Sequence, residues 1–112
     1  DASKGTFNYC CGDLSIQAPV KLGTFGYTSG NLTLYSTIAF HSVLSVPEQS
    51  YVTTLGSAEV TFGAGLTGKG VVSASSKTTT FTGVNMTGYL NAVAGAVLFG
   101  GENGNAVGVL SF

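Results

Sequence analysis

Two adjacent cysteines, Cys10-Cys11, and a single histidine, His41, are the side chains of this 112-residue chain best suited to chemistry. A Cys-His nucleophile needs the imidazole within hydrogen-bond reach of a thiolate, and a Ser-His-Asp triad needs an acid such as Asp13 behind it. His41 therefore defines one reading, a small hydrolase, although no GxSxG-type elbow accompanies it. Neighbouring residues on a strand point to opposite faces, so one thiol of Cys10-Cys11 should face inward and the other outward. Three fates are open to the pair: free thiols, bridges between molecules, or a strained vicinal disulfide, which suits a turn near Gly12 better than a strand. One His and two Cys supply neither a CxxC motif nor a zinc set, and no metal or cofactor is expected. Glu48 follows Pro47 in a loop, Glu59 lies outward on a strand and Glu102 sits in a turn, so no two acids are placed as an acid/base pair. Gly65-x-x-Gly68-Lys69 lacks the GxxxxGK[ST] pattern of a phosphate loop and reads as turn chemistry. The expected protein is not an enzyme.

Composition bounds what else it can be. Charged residues make up 8% of the chain, against roughly 25% in an average soluble domain, and the formal net charge is −1. No electropositive face is on offer for nucleic acid or an anionic membrane. A low-charge surface rich in Thr and Ser suits work outside the cytoplasm. Asn31-Leu32-Thr33 and Asn85-Met86-Thr87 are glycan-acceptor sequons should the chain traverse a eukaryotic secretory route, marking Asn31 and Asn85. The chain opens at Asp1, with neither a charged n-region nor an apolar h-region, and reads as a mature secreted product. Its longest apolar run, Tyr89 to Phe99, is too short for a membrane-spanning helix, which needs about 20 residues.

Seventeen glycines and abundant Thr and Ser disfavour helices and suit short strands joined by tight turns. The expected elements begin with Thr6 to Cys11 and an edge strand around Leu14, Ile16 and Ala18 that ends at Pro19. Gly23 to Gly30 reads as a loop holding Phe25 and Tyr27. Leu32 to His41 alternates most cleanly, with Leu32, Leu34, Ser36, Ile38 and Phe40 on one face. Val43 to Val46, Tyr51 to Leu55 and Ala58 to Phe62 follow, then a glycine-dense corner from Gly63 to Gly70. Val71 to Ala74 and Thr78 to Thr82 read as one hairpin. A second is expected at the end, where two apolar runs bracket Gly100 to Asn105, because Gly and Asn tolerate the positive φ of hairpin turns. The fold predicted is one all-β domain over 1–112, a compact antiparallel β-barrel of about eight short strands with a packed interior, or alternatively a β-sandwich. An apolar terminal hairpin would also allow membrane contact, as a secondary possibility.

Phe62-Gly63-Ala64-Gly65, Gly68, Gly88-Tyr89-Leu90-Asn91, the Gly100-Gly101 turn and Gly108 are similar in order and spacing to the core domain of the virulence-associated protein family. The likeness covers about the last 50 residues. It implies an eight-stranded antiparallel barrel, secretion by a microbe and a non-enzymatic role in host interaction, and it carries no site residues over.

The functional expectation is a secreted, effector- or virulence-type protein that binds a host or extracellular protein or glycan. Tyr27, Tyr35 and Tyr51 form the candidate surface, since tyrosine offers large contact area at little ordering cost. A carbohydrate- or small-ligand-binding module is the alternative, and exposed aromatics in a groove would favour it.

Overall fold

The computed structural model describes residues 2–9, 12–27, 30–101 and 104–111. Cys10 and Cys11 lie outside them, no disulfide is seen among the described residues, and the expected disulfide is not carried further. The chain begins with β1 (Ala2–Tyr9), β2 (Asp13–Ile16) and β3 (Val20–Tyr27). Three similar turns follow: β4 (Asn31–Leu34), β5 (Ile38–Phe40) and β6 (Leu44–Val46); then β7 (Tyr51–Thr54), β8 (Glu59–Phe62) and β9 (Leu66–Gly68); then β10 (Val71–Ala74), β11 (Thr78–Thr82) and β12 (Asn85–Met86). β13 (Tyr89–Ala92), β14 (Ala96–Gly100) and β15 (Val109–Ser111) complete it.

These strands stack into three sheets: sheet A in the order β1-β3-β5-β8-β11-β14, sheet B in the order β2-β4-β7-β10-β13-β15, and sheet C in the order β6-β9-β12. Every strand pairing among the described residues is parallel. The chain is a β-solenoid, and its three middle rungs (β4–β6, β7–β9 and β10–β12) each pass through sheets B, A and C before the chain climbs to the next.

This corrects the expected antiparallel barrel and its sandwich alternative, including the barrel that the family resemblance implied. Alternation with period two is the same whichever neighbour a strand pairs with, so it reports the inward face and not the topology. The breaks that suggested hairpins turn the chain through a corner instead of reversing it. Thus β10 and β11 enter different sheets, and the supposed terminal hairpin divides between sheets A and B, with β13 paired to β15 in parallel. Leu32 to His41 is likewise two strands meeting at a Tyr35-Ser36-Thr37 corner. The expected Gly23–Gly30 loop is mostly strand β3, held in parallel by β1.

Inward residues form columns along the axis. Leu32, Val52, Val72 and Leu90 make one in sheet B. Phe40, Phe62, Phe81 and Phe99 make one in sheet A, with ring centroids 5.1, 5.3 and 5.4 Å apart in successive pairs. The first three rings are fully buried, each contributing about 1.5–3 kcal/mol by burial alone. Leu44, Val46 and Leu66, with Val84 and Met86 beyond them, close the core under sheet C. The interior is filled by Leu, Ile, Val and Phe, as the composition suggested.

Two buried features interrupt the apolar columns. At the corner between sheets B and A, Thr54 Oγ1 lies 3.1 Å from Thr79 Oγ1, which lies 3.0 Å from Ser76 Oγ. The amides of Ser75 and Ser76 also donate to Thr54 Oγ1, at 3.1 and 3.3 Å. This network ties two rungs together and leaves its buried hydroxyls satisfied. Ser50 Oγ, by contrast, is buried with no hydrogen-bond partner.

At the corner between sheets C and B the rungs approach so closely that a side chain has no space. A Cβ on Gly88 would strike the carbonyl of Gly70, and one on Gly70 would strike Val46 and the Pro47 carbonyl. Gly100 on β14 has ordinary φ and nothing within 4 Å of a Cβ. Gly88→Ala is therefore expected to lose about 1–3 kcal/mol by forced overpacking, a fall of roughly 4–8 °C in Tm for each kcal/mol. Gly100→Ala should stay within about 0.5 kcal/mol; urea unfolding of the two variants checks the contrast. Thr79→Val should cost about 1–3 kcal/mol by removing one buried hydrogen bond each from the Thr54 and Ser76 hydroxyls, whereas Ser50→Ala should stabilise by about 1 kcal/mol. Equal effects in the last pair would refute the assignment of satisfied and unsatisfied hydroxyls.

Candidate functional site

Of the reactive residues singled out in the sequence, the two that are described, His41 and Asp13, lie on different sheets. His41 is exposed just past the end of β5 in sheet A. Asp13 begins β2 in sheet B, where its Oδ1 accepts a 3.0 Å hydrogen bond from Asn31 Nδ2. Among the described residues, no three of His, Cys, Asp and Glu come together as a metal site. No helix among them is long and apolar enough to cross a membrane. The apolar hairpin imagined as a membrane probe does not form.

The three tyrosines also separate. Tyr27 ends β3 in sheet A, and its side chain lies outside the described part. Tyr35 and Tyr51 are both exposed on sheet B, at opposite ends of its strands and one rung apart. The sequons are exposed as well: Asn31 precedes Tyr51 in the same column of sheet B, and Asn85 lies on sheet C beside Thr67.

Sheet B gives Tyr35 and Tyr51 a context. Its strands direct alternate residues outward, and parallel register places equivalent residues in columns with a rung spacing of about 4.8 Å. The first column runs Asn31, Tyr51, Val71, Tyr89. The second, two residues further along each strand, runs Thr33, Thr53, Ser73, Asn91. A third begins just beyond the strands, where the ladder continues from Tyr35 N to Ile16 O and from Leu55 N to Leu34 O, both at 2.9 Å. Ser75 and Val93 extend it through bonds to the Thr54 and Ala74 carbonyls.

The middle column holds only short polar side chains, all half-buried. Larger residues flank it: Tyr51 and Tyr89, 49% and 51% exposed, on one side, and Tyr35 and Val93, 46% and 66% exposed, on the other. The result is a shallow groove running along the solenoid axis, across the strands, with a hydroxyl and amide floor between a ridge of Tyr51, Val71 and Tyr89 and a second ridge of Tyr35, Leu55 and Val93 that Ser75 interrupts. From β4 through β13 no charged side chain enters its three columns. It offers hydrogen bonds and ring faces but no acid, base or nucleophile activated by a neighbour.

A second concavity, a cleft of about 570 Å³, opens at the corner between sheets A and C beside Gly63, Gly83 and Gly101. Gly and Ala make up most of its described lining. Asn105, its most prominent polar side chain, is occupied in holding the corner: Oδ1 accepts from Val84 N at 2.8 Å, and Nδ2 donates to Gly100 O at 3.1 Å. Among the described residues, none that lines the cleft is titratable.

Tyr89, Val71 and the whole floor of the sheet B groove were missed in the sequence. A signal for them exists. An inward aliphatic followed by a short polar residue recurs at Leu32-Thr33, Val52-Thr53, Val72-Ser73, Leu90-Asn91 and Leu110-Ser111, once per rung. Because both rings stand half in solvent, Tyr51→Ala and Tyr89→Ala should each change stability by less than about 1 kcal/mol. A larger loss in thermal melts would make them structural residues and not surface ones. Compared with known proteins, the chain matches no family model, no curated protein and no solved structure.

Proposed function

We propose that this protein is a secreted, non-enzymatic recognition scaffold that binds a host or extracellular partner through the outer face of sheet B. The observation that carries the reading is the neutral groove whose polar floor runs between the ridges of Tyr51 and Tyr89 on one side and Tyr35 on the other. Tyrosines with exposed rings supply contact area without ordering many torsions, and strands held in a ladder keep them at fixed spacing before any partner arrives. The low charge of the chain and the exposure of Asn31 and Asn85 support an extracellular setting.

The test is retention of fluorescently labelled protein on extracellular matrix and cell-wall preparations. Wild type is compared with the Tyr51→Ala/Tyr89→Ala double variant and with Thr80→Arg, which alters the outward face of sheet A. The expected result is at least a tenfold loss of retention for the tyrosine variant and none for Thr80→Arg, with both folded by circular dichroism. Loss in Thr80→Arg with full retention in the tyrosine variant would move recognition to the other face and overturn the proposal.

A further inference from the structure

The sheet B groove also has the layout expected for one class of partner. Building on its assignment as the recognition surface, we infer that it binds a linear, neutral, β-1,4-linked polysaccharide lying along the solenoid axis. Three features lead there.

The first is the placement of polarity. A protein partner is usually met by an apolar centre with a polar rim. Here the order is reversed, with Thr33, Thr53, Ser73 and Asn91 in the middle and the rings outside. A sugar chain matches that order, since its hydroxyls need donors and acceptors beneath it while its C–H faces need apolar walls beside it. The electron-rich faces of Tyr51 and Tyr89 suit the weakly positive C–H bonds of a pyranose.

The second is the repeat. Every rung adds a floor group at about 4.8 Å, so Tyr51 and Tyr89, two rungs apart with Val71 between them, stand roughly 9.6 Å apart. In an extended β-1,4-linked chain successive units are turned over, and equivalent faces recur once per disaccharide. That repeat is close to the two-rung distance, so one tyrosine meets every second unit. A peptide adding as a strand would instead need an open edge and would run parallel to the strands. This groove runs across strands whose backbones are already paired on both sides.

The third is charge. Lys69 and Lys77 are exposed, but both lie at corners outside the three columns. A polyanion such as a sulfated or uronic-acid chain would find no cation along the floor. The floor column itself carries no carboxylate from β4 through β13, and Asp13, beside Asn31 at the end of the first column, is engaged by Asn31 Nδ2, so a cationic chain finds no row of acids to follow.

The experiment is affinity electrophoresis and calorimetry on the full chain. The probes are cello-, xylo-, manno- and chito-hexaoses, with the corresponding trioses, and with polygalacturonate and heparin as charged probes. At least one neutral hexaose is expected to bind, with the triose at least tenfold weaker and no salt dependence between 50 and 500 mM NaCl, a range in which charge-driven binding falls steeply. The Tyr51→Ala/Tyr89→Ala variant should weaken binding at least tenfold, Ser73→Arg should block the floor, and Thr80→Arg should bind as wild type. If no neutral hexaose binds at millimolar concentration, the polysaccharide assignment fails. Tyrosine-dependent retention on cell-wall or matrix material would in that case leave the sheet B surface standing with another partner. Binding confined to heparin or polygalacturonate and lost in salt would also overturn the assignment.

Discussion

The close passage of the backbone at the corner between sheets C and B sets the terms for the rest of the molecule. Successive rungs must lie one strand spacing apart there, and the space left above each carbonyl is too small for a Cβ. Gly30, Gly70, Gly88 and Gly108 each precede a sheet B strand at this corner, and each would drive an added methyl into the backbone of a neighbouring rung. Ser50 holds the equivalent place before β7, with its carbonyl accepting from Val71 N. It fits because the chain swings wide through Pro47, Glu48 and Gln49, the last with a φ of 65°. The constraint is therefore on the path, and a longer path releases it while leaving the Ser50 hydroxyl buried without a partner.

Once the rungs are fixed at that spacing, inward side chains have to agree with the ones above and below. Phe40, Phe62 and Phe81 stack nearly parallel, with interplanar angles of 9° and 5° along the column. Like stacks on like because a change of volume in one rung opens a gap against its neighbour. Polar residues enter this interior as a connected set: Thr54, Ser76 and Thr79 satisfy one another across two rungs.

Much of this was legible in the sequence, and the rest was not, for a definite reason. Leu32, Leu34, Ile38 and Phe40 are all buried, as their alternation indicates, and so are Val60, Phe62 and Leu90. Which strand lies beside which could not be read from alternation, because parallel rungs and antiparallel hairpins share it. The repeat that distinguishes them is blurred by insertions at different corners: Gly56-Ser57 between sheets B and A, and Glu48-Gln49 between C and B. Lengthening a surface turn costs little, so rungs of unequal length can stack in register. The corner at Tyr35-Ser36-Thr37 contains neither Gly nor Pro and gives no local sign that the chain turns. Tyr35 and Tyr51 could be chosen for their ring area, but Tyr89 belongs with Tyr51 only through the register of β7, β10 and β13.

Inward columns answer to packing, whereas outward columns of a solenoid are left almost free by the fold, since each rung touches only its neighbours. Order in an outward column therefore calls for another cause. On sheet A the outward series Ala39, Thr61, Thr80, Leu98 is mixed in size and polarity. On sheet B the series Thr33, Thr53, Ser73, Asn91 stays short and polar through four rungs, although Asn is depleted in strands and Ser is not among the residues enriched there. Strand propensity accounts for the two threonines but would have favoured Val or Ile over Ser73 and Asn91. Short polar groups are retained along the floor of a groove while Tyr and Val rise beside it. That pattern is one folding does not require, and it is the ground on which the outer face of sheet B is proposed as a recognition surface.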